Sequence, residues 1–164
     1  MEQIQVAHDL ILQPLDGIDF SQQAFSEALF MESLPLLVKH YEEISYFKDI
    51  PLNPDFEKYA RVARAGALRI FTARKFGDLI GYAVFLVQES MHFSQSYQAV
   101  QDVLFIDPEH RGFGHRFILW CDKQLQKEGV EVIYHTTSKR SERLGLLLEK
   151  LGYEEVGNVY ARKF

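Results

Sequence analysis

Apolar positions along this chain switch between two periods, and each switch marks the edge of an element. A short apolar run at 4–12 predicts an opening strand. Between 22 and 44, Phe25, Leu29, Leu34, Leu36, Leu37, Tyr41 and Ile44 recur at helical spacing, which predicts one or two helices. Pro35 lies inside that pattern and is expected to start a second helix or kink the first. Residues 46–53 read as a loop, after which Pro54 and Asp55 open a short helix through Arg64. Strand-like runs at 68–75 and 79–88 flank Phe76-Gly77-Asp78, a hairpin signal. A strand at 99–106, a helix at 112–129, a strand at 130–136 and a helix at 141–151 follow, the last ended by Gly152. Residues 153–156 and 159–162 predict a closing pair of strands.

The order is strand, helices, three antiparallel strands, helix, strand, helix, two strands. It requires one parallel crossover, between the strands at 99 and 130. The fold class is therefore α/β with a mixed sheet, not a regular doubly wound one. With 164 residues the chain suits one domain over its whole length, 1–164.

The chemistry concentrates where the strand at 99–106 gives way to the next helix. The apolar run ends at Asp107-Pro108, and a tight Arg111-Gly112-Phe113-Gly114 turn leads into an amphipathic segment. The first amides of a helix have no internal partner and carry the positive end of its dipole. Glycines let a backbone approach a phosphate with no Cβ between them. The turn is thus suited to a phosphorylated cofactor. A dinucleotide fold would need a third glycine where Phe117 stands, and no phosphate-loop motif occurs.

Charge and composition narrow the partners. A net charge of -5 argues against non-specific nucleic-acid binding and is compatible with a cationic substrate. One cysteine cannot form an internal disulfide, which fits a reducing cytoplasm. The start, Met1-Glu2-Gln3, lacks the features of a signal peptide, and no apolar run reaches membrane-spanning length. The six histidines show no metal-ligand spacing, so no metal is expected.

On the Arg111-x-x-Gly114-x-Arg116 turn and on Leu148-Glu149-Lys150-Leu151-Gly152-Tyr153, the chain resembles the GNAT acetyltransferase superfamily. The family turn reads Gln/Arg-x-x-Gly-x-Gly/Ala, and Arg116 replaces the final small residue. The likeness covers residues 68–164 and looks closest to small members encoded in phage and prophage genomes. The resemblance implies a mostly antiparallel sheet whose parallel pair of central strands splays into a cleft for acetyl-CoA. It implies that pantetheine pairs with the backbone of Leu104, Phe105 and Ile106. Pyrophosphate would meet the amides of Arg111, Gly112, Phe113, Gly114, His115 and Arg116. Arg116 would either crowd that contact or add a cation to it. Ser141 stands where the family often has a pantetheine-binding asparagine, and it also reads as a helix N-cap.

Acetyl transfer to an amine requires a neutral nitrogen, a donor for the thioester oxygen, a route for the leaving thiolate and a positioned acceptor. By resemblance Asp102 occupies the position of a catalytic glutamate, and it is unusual within a strand. The plain alternative is an edge carboxylate. An amide near Phe105 is the expected oxyanion donor. Where many members carry an acidic tyrosine, this chain has Leu148. Tyr134 and His135 would end their strand at the cleft mouth, with His135 able to relay protons. His40, Glu42 and Glu43 sit where family acceptor sites form, and His92 is a further lining candidate. Cys121 reads as core. The expected activity is acetyl-CoA-dependent N-acetylation of a primary amine by direct transfer. The alternative is a silent module of the same fold that binds CoA or a protein partner. Expected partners are acetyl-CoA and an amine acceptor, without nucleic acid or membrane, and a homodimer is left open.

Overall fold

The computed structural model describes residues 16–164. The strand predicted at 4–12 lies outside the described residues. In chain order the elements are β1 (Ile18–Gln23), α1 (Glu27–Ile44), α2 (Phe56–Arg64), β2 (Leu68–Lys75), β3 (Asp78–Glu89), β4 (Tyr97–Ile106), a short 3-10 turn (Pro108–His110), α3 (Gly114–Lys127), β5 (Val132–Tyr134) and α4 (Glu142–Lys150). They build a mixed α/β sheet in the order β1-β2-β3-β4-β5. Neighbours are antiparallel except β4 and β5, which run parallel.

Local chemistry explains most boundaries. Phe76 and Gly77 both take positive φ, at 51° and 96°, the geometry of a two-residue hairpin between Lys75 and Asp78. The Ser26 hydroxyl accepts from the Leu29 amide and starts α1, and Asp55 does the same for α2 through the amide of Lys58.

Three expectations need correction. Residues 22 and 23 belong to β1, not to a helix, because Ile18 and Phe20 pin this polar strand to β2 and to the aromatic ring of Phe117, 5.0 Å from Phe20. Pro35 neither starts a second helix nor splits the first, since α1 runs through it with Leu29, Leu36 and His40 buried. Packing of that face offsets the lost backbone bond. The closing strands at 153–156 and 159–162 do not form. The segment has the alternation but no strand among the described residues to pair with it, and Val156, Val159 and Tyr160 stay exposed.

The sheet separates two apolar layers. Phe71, Phe85 and Ala99 pack on Phe117, Cys121 and Leu125 of α3. The opposite face sets Ile70 and Val84 against Leu29 of α1 and the half-buried Tyr59 and Val62 of α2. Each fully buried large side chain contributes roughly 1.5–3 kcal/mol. Cys121 lies wholly within the first layer, and burial pushes its thiol well up.

Two irregularities in β4 create the site. β5 pairs with β4 only at Gln98, Ala99 and Val100. From Gln101 to Ile106 that edge of β4 has no strand beside it among the described residues, so the parallel pair opens into a wedge. On the other side, the register with β3 passes from Phe85↔Gln101 to Val84↔Val103. Asp102 is the unpaired residue of a β-bulge.

Candidate functional site

The wedge is a cleft of about 900 Å³. Its floor is residues 101–106 of β4, its walls are the last turns of α1 and the 136–144 segment leading into α4, and α3 begins at one end. The Asp107 amide donates to the Ile80 carbonyl at 2.8 Å, toward β3. Alternation then turns the backbone groups of Ile106 and Leu104 toward the cleft and those of Phe105 toward β3. The Ile106 carbonyl already accepts from Arg111 Nε at 3.2 Å. Phe105 contributes its ring, stacked 4.8 Å from His40, and not its amide.

One end of the cleft is strongly electropositive. Gly112 has φ of 126°, a conformation only glycine adopts without strain, and it delivers the chain into α3. Phe113 precedes that helix without a side-chain cap, so the Gly114 and His115 amides open on the cleft. Ser141 is the N-cap of α4 as expected, but its hydroxyl makes no capping bond, and the residue lines the cleft. Lys139, Arg140 and Arg143 line the same cleft, with Glu142 the one carboxylate among them. Two helix dipoles and these cations converge on one place, the arrangement that binds a polyanion.

Phe113 and Arg116 do not line the cleft. Their side chains are buried, and Phe113 packs on Phe20 at 5.8 Å. Arg116 therefore neither crowds the turn nor adds a cation to it. Arg111 turns across the cleft rather than along the turn. Its guanidinium bonds Glu43 at 2.5 Å and lies 5.8 Å from the Phe105 ring centre. With the Lys39–Asp107 ion pair at 2.5 Å, this ties α1 to the turn twice.

The other end carries Asp102, His40 and Glu43. Asp102 Oδ2 accepts from the Tyr59 hydroxyl at 2.6 Å. The His40 Nδ1 lies 3.1 Å from the Tyr82 hydroxyl, and burial holds its pKa down at about 4. It is a neutral imidazole at neutral pH. Burial raises both tyrosine hydroxyls far above their usual range, and Asp102 raises Tyr59 further.

The remaining predicted site residues lie elsewhere. Glu42 is exposed and outside the lining, with its carbonyl accepting from Lys48. His92 sits in the β3–β4 loop, beyond the Glu89↔Tyr97 pair and far along the sheet from Gln101. Tyr134 is exposed off the cleft. His135 is off it too, because alternation turns its ring inward. Its Nδ1 meets Gln101 Oε1 at 2.6 Å and its Nε2 the Tyr153 oxygen at 3.2 Å. Tyr153 donates onward to Asp122 at 2.7 Å. Burial pushes His135 down to about 4 and Asp122 up to about 6. The imidazole is thus a neutral tie at the point where β4 and β5 part, not an exposed relay.

Sequence reasoning missed Gln101, Tyr59 and the cations Lys139, Arg140 and Arg143. The basic cluster just before a helix was visible as charge. Nothing in the sequence joins Tyr59 to Asp102, since their contact spans two elements.

This cleft, with a strand edge laid open between two uncapped helix starts, defines the class. The chain has the fold of the GNAT acetyltransferases. Among solved structures it is similar to an aminoglycoside acetyltransferase from an uncultured soil metagenomic sample in complex with sisomicin, at TM-score 0.70 and 16% identity over 90% of this chain and 97% of that one. It is similar to ribosomal-protein-alanine N-acetyltransferase from Brucella melitensis biovar Abortus 2308, at TM-score 0.68 and 17% identity over 90% of this chain and 99% of that one. It is also similar to the aminoglycoside enzyme AAC(6')-Iy in complex with a CoA bisubstrate analog, at TM-score 0.63 and 20% identity over 90% of this chain and 98% of that one. No family model and no curated protein matches the sequence. Among the described residues no helix is long and apolar enough to cross a membrane, and no group of three or more His, Cys, Asp or Glu is placed to hold a metal ion.

Proposed function

We propose that this protein is an acetyl-CoA-dependent N-acetyltransferase that moves an acetyl group directly to a primary amine. The observation that carries the reading is the charge polarity of a single cleft. Cations and two helix starts occupy one end, a bulged carboxylate the other, and an unpaired strand edge joins them. The acyl donor fits this order. Its phosphates would be held by the amides of Gly114 and His115 with Lys139, Arg140 and Arg143, and its pantetheine by Leu104, Ile106 and Ser141.

An alkylamine has a pKa near 10.4 and arrives protonated. Asp102 attracts that cation and accepts one proton, directly or through water, before the neutral nitrogen attacks the thioester carbon, and the second N–H proton passes to solvent as the tetrahedral intermediate collapses. The C–N bond forms and the C–S bond breaks. The Leu104 amide, rather than that of Phe105, is placed to donate to the developing oxyanion. Leu148 is buried and donates nothing, so the thiolate takes its proton from solvent in the open cleft. The lone cysteine is buried in the core, which supports transfer without a covalent enzyme intermediate. An amine acceptor is supported by neighbours that are an aminoglycoside acetyltransferase and a ribosomal-protein-alanine N-acetyltransferase.

The test is thiol release from acetyl-CoA with a panel of primary amines that includes sisomicin. Asp102→Asn is expected to lower turnover roughly 100-fold or more at neutral pH, with acetyl-CoA affinity unchanged and a smaller deficit at high pH. No release with any amine, or wild-type turnover in Asp102→Asn, would overturn the respective part of this reading.

A further inference from the structure

We propose that Tyr59 is a positioning residue for the transfer reaction, holding the Asp102 carboxylate on its bulge through one oxygen and leaving the other for the acceptor amine. The inference rests on the reading of Asp102 as proton acceptor and adds a residue from a separate element.

The argument starts from the bulge. Asp102 has no partner on β3, because the register jumps from Gln101 to Val103 across it. A bulged residue is re-aimed by its backbone, but its side chain gains no support from a cross-strand neighbour. The side chain is solvent-exposed on the cleft side. An untethered carboxylate there would sample several rotamers, and proton transfer requires one.

Tyr59 supplies the tether. Its hydroxyl lies 2.6 Å from Asp102 Oδ2, within the range of short charge-assisted bonds. Asp102 Oδ1 has no hydrogen-bond partner among the described residues. Tyr59 is itself fixed, because its ring stacks 6.2 Å from Phe25 and lies 6.5 Å from Phe30. Burial and the facing carboxylate keep its hydroxyl protonated, so it acts only as a donor. The ring lines a separate small apolar cavity and not the cleft, so Tyr59 acts through Asp102.

Tyr59→Phe removes the hydroxyl and keeps the ring in its cluster. Thiol release is measured with acetyl-CoA and the amine that turns over fastest in the panel. The expected result is a drop in kcat of about tenfold, with the acetyl-CoA KM unchanged. In an Asp102→Asn background the same change should have no further effect. A drop that persists in that background would mean that Tyr59 acts on the fold, and would overturn the assignment. So would wild-type kcat in Tyr59→Phe while Asp102→Asn alone is deficient, and this outcome leaves the role of Asp102 standing. Wild-type turnover in Asp102→Asn, or no release with any amine, removes that role and this assignment together.

Discussion

Replacing His135 with glutamine tests whether a neutral imidazole locks the point where the sheet opens. In the folded chain Nδ1 donates to the Gln101 oxygen, Nε2 lies 3.2 Å from the Tyr153 oxygen whose proton goes to Asp122, and Phe85 packs edge-on against the ring. Burial holds the pKa at about 4 against an ordinary 6.5. The unfolded histidine therefore takes up its proton near 6.5 and the folded one not until about 4. The stability it contributes is whole above 6.5 and is lost as pH falls through that window. At 1.36 kcal/mol per pH unit, the gap comes to about 3 kcal/mol once the lower value is reached. At pH 5, where the folded ring is still mostly neutral and the unfolded one mostly charged, the loss is about 2 kcal/mol.

Other groups titrate in the same range, among them His115, which burial also lowers. His40, held at about 4, loses stability on acidification as His135 does. Asp122 runs the other way, because burial raises it from 3.8 to about 6 and the folded state then gains on proton uptake. A single pH curve mixes all of these, so the useful quantity is the difference between wild type and His135→Gln. Guanidinium unfolding at pH 7 and pH 5 should show the wild-type advantage narrowing by about 2 kcal/mol. The glutamine does not titrate, and His40 cancels from the difference. A wild-type advantage equal at the two pH values would refute the neutral tie and return His135 to the status of a solvated histidine.

Two further outcomes follow from the cleft. At Gly114 an added Cβ would meet only Ile106 Cδ1 at 3.5 Å and Leu147 Cδ2 at 3.9 Å. Gly114→Ala should therefore keep the melting shift produced by acetyl-CoA, about 2.7 kcal/mol at a hundredfold excess over Kd, while Gly114→Glu, with bulk and negative charge beside the phosphates, abolishes it; equal shifts in the two variants would count against the phosphate assignment. Glu42 and Glu43 are adjacent, but only Glu43 reaches the cleft, where it holds Arg111. Glu43→Gln should raise the acceptor KM up to about fivefold and weaken its salt dependence, whereas Glu42→Gln leaves both unchanged; an effect at Glu42 would show that the acceptor reaches beyond the lining residues.

The sequence by itself determined what depends on neighbours along the chain. The hairpin at Phe76-Gly77, the starts of α2 and α3 and the glycine turn at Gly112 are local, because backbone sterics and helix-end amides act over a few residues. The strands at 68–75 and 79–88 were likewise legible, since a sheet packed on both faces gives its inner strands near-continuous apolar runs. β1 was not. Its polar run is held by pairing with a strand some fifty residues away and by Phe20 against α3. The same dependence on a partner explains the unformed strands after Tyr153, where alternation alone does not make a sheet.

In the site the division is the same. That Asp102 and the Arg111 turn matter could be read from residue type and spacing. Which way each side chain points could not, because orientation is settled by contacts between distant segments. Arg116 faces the core, Arg111 reaches across to Glu43, His135 turns inward to Tyr153, and Tyr59 comes from α2 to Asp102. The bulge that frees Asp102 from the ladder arises only when β3 and β4 settle into register. Helix ends and turns are short-range physics, written residue by residue. Register, burial and hydrogen-bond partners across the cleft are long-range physics, which only the packed chain resolves.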